Sequence, residues 1–167
     1  MRFFLDTLED ERACCYRSEV LSAFAEGDAE KMVACYHDEI QFEDPIFGLL
    51  RGNDAKKMWR MLVRPGIQIT FSDVIADEDT GSATWIAEYT FGKSQRPVFN
   101  KIRAQFQFKD GKIIRHTDHF NFWKWTRQAL GLQGLLFGWT PWMQRKLRTK
   151  VRTRLTAFMG EPVLKNI

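Results

Sequence analysis

Apolar side chains recur every three or four positions in the first third of the chain and every second position from about residue 67 onward. The first pattern predicts helices. Tyr16, Val20 and Phe24 fall on one face beside Ala13 and Leu21, so residues 7–26 read as a helix ended by Gly27. Asp28 can cap a short second helix through Cys35. Asn53 or Asp54 can cap a third through Val63, with Met58, Trp59 and Leu62 on its apolar side and Pro65-Gly66 as its stop. Between the last two, a brief strand over 40–43 breaks at Asp44-Pro45, because the residue before proline is pushed out of the helical region. Gly48 and Gly52 bracket a loop.

The second pattern predicts strands. Ile67, Ile69 and Phe71 alternate with polar residues, and Asp77–Gly81 reads as a turn. Trp85, Ala87, Tyr89 and Phe91 alternate in the next run, then Asn100, Ile102, Ala104, Phe106 and Phe108 in the one after. Asp110-Gly111 is a hairpin signal. The last run sets Ile114, His116, Asp118, Phe120 and Phe122 on one side. Helices followed by a four-stranded antiparallel meander make an α+β fold, with helices packed on one face of a curved sheet. Beyond Trp123 comes a glycine-broken apolar stretch, then Thr140-Pro141 as a helix start and Gly160 as a stop. Met143, Leu147, Val151, Leu155 and Phe158 form a narrow stripe on that helix, among many cations.

Three polar residues interrupt the apolar faces: Asp44, His116 and Asp118. Burying such groups is unfavourable unless they are paired, hydrogen-bonded or wetted by a pocket. In an apolar site a carboxyl pKa rises toward values useful to a general base, and a histidine nearby can hold or donate a proton. Asp44 can therefore take a carbon-bound proton while His116 and Asp118 polarise or reprotonate. The substrate would be an apolar carbonyl compound among Trp59, Trp85, Tyr89, Phe106 and Phe120. Each feature also has a plain structural reading. Aspartate before proline caps turns, a His-Asp pair can simply order a strand, and alternating rings can simply be core. A protein that binds a hydrophobic, lipid- or polyketide-like ligand without chemistry is the alternative function.

A chain of 167 residues fits one domain, and 44% hydrophobic with 14% aromatic residues suffices for a core. No window approaches the ~18 apolar residues of a membrane span, and the acidic start holds no signal-peptide core. Cys14, Cys15 and Cys35 lack metal-ligand spacing, which suits a cytoplasmic protein. Neither a metal cluster nor a phosphate loop or dinucleotide fingerprint is present, so neither metal nor cofactor is expected. The net charge of +4 is unevenly spread: residues 1–50 carry −8 and residues 119–167 carry +8. Pairing between these two ends is the simplest expectation. For the basic, tryptophan-rich tail, packing on the domain or a partner subunit is the preferred reading. Peripheral membrane contact through residues 139–159 comes second, and nucleic acid ranks last.

The run Gly27-Asp28, Cys35-Tyr36-His37-Asp38-Glu39, Phe42-Glu43-Asp44-Pro45, Gly48 and Arg51-Gly52 resembles the ketosteroid isomerase-like and SnoaL-like branch of the nuclear transport factor 2-like superfamily. The resemblance implies a cone-shaped roll with three N-terminal helices on a curved mixed or antiparallel sheet and a C-terminal basic helix. It divides the chain into a cone over 1–125 and a helical extension over 126–167, packed on or between subunits. Asp44 falls on the isomerases' general base. The two oxyanion donors of those enzymes fall on Val20 and Ala104, so they do not carry over, although Tyr16 lies one helical turn before Val20. His116 and Asp118 resemble the acid/base pair of SnoaL-like cyclases, whereas the Asp-Arg-Asp relay of limonene-type epoxide hydrolases finds no inward arginine. Tyr16, Val20 and Ala104 join the five aromatic residues as expected pocket lining. The family's habit implies a homodimer through the outer face of the sheet, near Arg103, Gln105 and Gln107.

Overall fold

The structure is a computed structural model, and it describes residues 26–63, 67–92 and 95–160. The helix expected over 7–26, with Tyr16 and Val20, and the stop at Pro65-Gly66 lie outside the described residues. Helices α1 (Ala29–Ala34) and α2 (Gly52–Leu62) flank strands β1 (Tyr36–Glu43) and β2 (Leu50–Arg51). Strands β3 (Gln68–Ala76), β4 (Thr80–Phe91), β5 (Arg96–Lys109) and β6 (Lys112–His119) follow. Helices α3 (Phe122–Leu130), α4 (Leu132–Phe137) and α5 (Pro141–Gly160) close the chain.

The meander of β3 to β6 is antiparallel as expected, but the sheet has six strands in the order β2-β1-β6-β5-β4-β3. The short strand expected over 40–43 is twice that length, and it pairs in parallel with β6. A four-stranded meander is therefore too small a description. The sheet is mixed, and β1 adds the N-terminal half to it. The β5–β6 hairpin turns on Asp110 (φ 53°) and Gly111 (φ 71°), the two positive angles that a tight hairpin needs. A register shift between Gln107 and Phe108 opposes Phe108 to Ile113, leaving Ile114 as the extra residue of a bulge. That bulge changes which side chains point inward. Ile113, not Ile114, shares the buried face with His116 and Asp118.

Caps follow local chemistry. Asp28 accepts from the amides of Glu30 and Lys31, and Asn121 accepts from that of Lys124. The cap expected at Asn53 or Asp54 is absent: α2 begins at Gly52 after Arg51, which makes no side-chain cap. Its buried side holds Ala55, Met58, Trp59 and Met61, while Leu62 is exposed.

Beyond the sheet, α3 and α4 cross at a distance only glycine permits. A Cβ on Gly134 would lie 1.9 Å from the Thr126 carbonyl oxygen, and one on Gly138 1.9 Å from the Thr126 hydroxyl. Helix α5 begins at Pro141 behind Thr140, whose hydroxyl accepts from the amide of Met143. Its stripe turns inward, with Met143, Leu147 and Leu155 buried and Val151 and Phe158 packed against the core. From the same helix Gln144 donates to the Pro45 carbonyl (3.0 Å), and Arg152 donates to those of Phe47 (2.9 Å) and Leu49 (2.7 Å). The arm thus holds the loop that follows Asp44.

Candidate functional site

Parallel pairing of β1 with β6 matches Phe42 to His116 and Glu43 to Thr117. Asp44 directly follows that strand end, and it lies near enough to Asp118 to feel its charge. Phe42, His116 and Asp118 share the buried side of the sheet.

His116 and Asp118 are 1% and 4% exposed, so their polar atoms must be satisfied within the protein. They belong to a continuous chain. The Tyr36 hydroxyl lies 2.7 Å from His116 Nδ1, and His116 Nε2 lies 2.9 Å from Asp118 Oδ1. The Trp85 indole donates to the same Oδ1 at 3.3 Å. With the Nε2–H donating to Asp118, Nδ1 is the acceptor for the Tyr36 O–H. The imidazole is caged by rings: Trp59 stacks on it at 5.6 Å and 13°, Phe106 lies at 4.6 Å, and Phe42 meets it edge-on at 5.2 Å.

Asp44 has different surroundings. It is partly buried, and its Oδ1 accepts from the amides of Ile46 (3.0 Å) and Phe47. Both bonds land on one oxygen, as in an Asx-turn. Loss of hydration pushes the carboxyl up to about 7. The turn amides of Phe47, Ile46 and Gly48 oppose that rise, and the negative charge of Asp118 adds to it. Tyr89 responds to the same neighbourhood. Burial raises its phenol pKa, the bond from Trp125 offsets part of that rise, and the charge of Asp44 adds to it. The Trp125 indole donates to the Tyr89 oxygen at 2.8 Å, which leaves the Tyr89 O–H proton free to point elsewhere.

The residues expected from sequence are thus distributed over three roles. Asp44, His116 and Asp118 are brought together. Trp59 and Phe106 wall the imidazole, and Trp85 is a hydrogen-bond donor to Asp118. Ala104 sits directly opposite Asp118 in the β5–β6 register, and Phe120 packs at the edge of the core. Tyr36 and Trp125 were not among the expected site residues. Tyr36 has the strand parity of Ile40 and Phe42, a signal available once the strand is extended back to residue 36. Trp125 offered no local signal, since its partner is 36 residues away. Among the described residues no group of three or more His, Cys, Asp or Glu is placed to hold a metal ion. An open groove of about 470 Å³ lies over Ser82, Gln105, Gln107, Arg115 and Thr117, with Phe106 also in its lining.

Solved structures share this architecture. An LEH-like epoxide hydrolase of M. tuberculosis aligns at 22% identity over 75% of this chain and 96% of its own, with a TM-score of 0.59. An NTF2-like protein of unknown function from Burkholderia pseudomallei aligns at 16% identity over 71% and 97%, with a TM-score of 0.60. A protein described as a candidate polyketide cyclase from Xanthomonas campestris pv. campestris aligns at 19% identity over 72% and 98%, with a TM-score of 0.58. At such identities the likeness is one of fold. A comparison with curated proteins gives no match. The sequence model of the SnoaL-like domain matches residues 18–116, more than half of the chain. With the mixed sheet and its helices in place, the chain belongs to the SnoaL-like domain family.

Proposed function

We propose that the chain is a small-molecule acid/base catalyst of isomerase or cyclase type, acting on an apolar carbonyl compound through Asp44. The observation that carries this reading is the pairing of unlike carboxyl groups at the end of β1 and on β6. Asp118 is held by an imidazole and an indole, while among the described residues the Asp44 side chain is met by turn amides and has a pKa near neutrality. Such a divergence between neighbouring titratable groups is how acid and base roles are separated at one pH.

In this reading the Asp44 carboxylate takes a proton from the carbon beside the carbonyl, and negative charge develops on the carbonyl oxygen. That oxygen needs a donor. The isomerases' acid position is Ala104 here, but the Tyr89 O–H, oriented by Trp125, is available, and Asp118 stands across from Ala104 on the next strand. Asp44 then returns its proton to a second carbon. The Tyr36–His116–Asp118 chain positions the charge beside Asp44.

Exchange of solvent deuterium into the α-carbons of a panel of apolar cyclic ketones tests this directly. The wild type exchanges, and Asp44→Asn slows exchange about 100-fold or more, the range of a general base. Equal exchange in both proteins removes Asp44 from the mechanism. The enclosure of His116 favours a second reading, a binder whose polar chain is structural. No exchange by either protein, with a stoichiometric apolar ligand seen by native mass spectrometry, selects it.

A further inference from the structure

The helical arm carries apolar residues on its outside. Leu132, Leu136 and Trp139 are 71%, 54% and 70% exposed, and Leu135, Phe137 and Trp142 beside them are 42%, 49% and 53% exposed. All six fall between residues 132 and 142. Their outward aim follows from the fold, because the close glycine crossing fixes one side of α4 against α3. The apolar stripe of α5, in contrast, is already covered by the core. A patch of this kind marks a contact surface rather than ordinary surface scatter.

Charge identifies what it fits. Residues 119–160 hold eight Lys and Arg and no Asp or Glu. Among the described residues no ion pair joins these cations to an acid, and the acids of residues 1–25 lie outside the described residues. Instead Arg127 lies 5.0 Å over the Trp123 ring and Lys146 lies 4.7 Å over that of Trp142, at the border of the apolar patch. Leucines suit acyl chains, indoles suit the headgroup level, and cations suit anionic headgroups. Nucleic acid would use the cations and rings but has no use for exposed leucines.

We propose that the 132–142 tip docks on an anionic bilayer surface. Peripheral contact had been expected of residues 139–159. The structure moves it to α4 and the first turn of α5, because the rest of α5 buries its stripe. The inference stands apart from the proposed catalysis.

Sedimentation of the full chain with vesicles tests it. The protein pellets with phosphatidylcholine mixed with phosphatidylserine and stays in solution with phosphatidylcholine alone. Leu136→Glu with Trp139→Glu abolishes pelleting, and Arg127→Gln and Lys146→Gln each weaken it about fivefold. These side chains are at the surface, so circular dichroism of the variants matches the wild type. Absence of pelleting, or pelleting unchanged in the double variant, overturns the proposal. So does salt-sensitive binding to single-stranded DNA without vesicle binding. A dimer that the double variant converts to monomer, again without vesicle binding, assigns the tip to a second copy and overturns it as well.

Discussion

Asp44 and Asp118 stand on neighbouring strands of one sheet, yet they solve burial in opposite ways. Asp118 is closed into a chain of donors: His116 Nε2 and the Trp85 indole meet one of its oxygens, and Tyr36 completes the imidazole's valence. Asp44 sits at a proline-broken strand end where, among the described residues, backbone amides are what reach it, and burial leaves its carboxyl near pH 7. The comparison teaches that a carboxyl group's role here is set by which donors its neighbours supply. A side-chain network consumes Asp118, whereas a turn leaves Asp44 ready to exchange a proton.

The closed chain breaks with the largest effect. His116→Ala removes the shared partner of Tyr36 and Asp118 and empties a ring-lined cage. It lowers stability by about 3–5 kcal/mol in denaturant unfolding. A smaller loss would mean that water satisfies the two partners.

Next comes the arm that holds the open side of the comparison. Gly134→Ala sets a methyl group against the Thr126 backbone and costs about 1–3 kcal/mol. Gly134 is not among the glycines with positive φ, so this cost is steric.

The pH dependence sharpens the contrast itself. The folded pKa of Asp44 is raised from the ordinary 3.8 to about 7, so the folded state binds the extra proton across that window. The wild type therefore loses stability as pH rises from 3.8 to about 7, then levels off. Asp44→Asn keeps an oxygen acceptor for the turn and has no charge to bury. It becomes more stable than the wild type above pH 7 by about 1–2 kcal/mol, a figure discounted for partial exposure. The two proteins unfold alike in acid. Turnover has the opposite sign, rising with pH through about 7 as the base ionises. The smallest effect is that of Arg152→Ala, which frees the carbonyls of Phe47 and Leu49 and costs about 1 kcal/mol.

Much of this was legible in the sequence because it is local. Alternation revealed β4 and β5, Asp110-Gly111 revealed their hairpin partner, and Asp28 and Thr140-Pro141 marked helix starts. Asp44, His116 and Asp118 stood out as polar residues on apolar faces. What stayed hidden is non-local. The polar stretch His37-Asp38-Glu39 disguised the first half of β1, so neither its parallel partner β6 nor the role of Tyr36 was visible. One bulge residue, Ile114, reversed the parity at the start of β6. Nothing near Trp125 in sequence announces its partner Tyr89. Arg152 binds the carbonyls of Phe47 and Leu49, a contact across more than a hundred residues that no local pattern announces.

The central claim, that Asp44 is the open member of an unlike carboxyl pair, is tested most directly by a ¹³C NMR pH titration of the aspartate carboxyls, assigned by the resonance missing in Asp44→Asn. A midpoint of about 7 is predicted for Asp44. A midpoint near the ordinary 3.8 would contradict the account and make Asp44 a turn cap only.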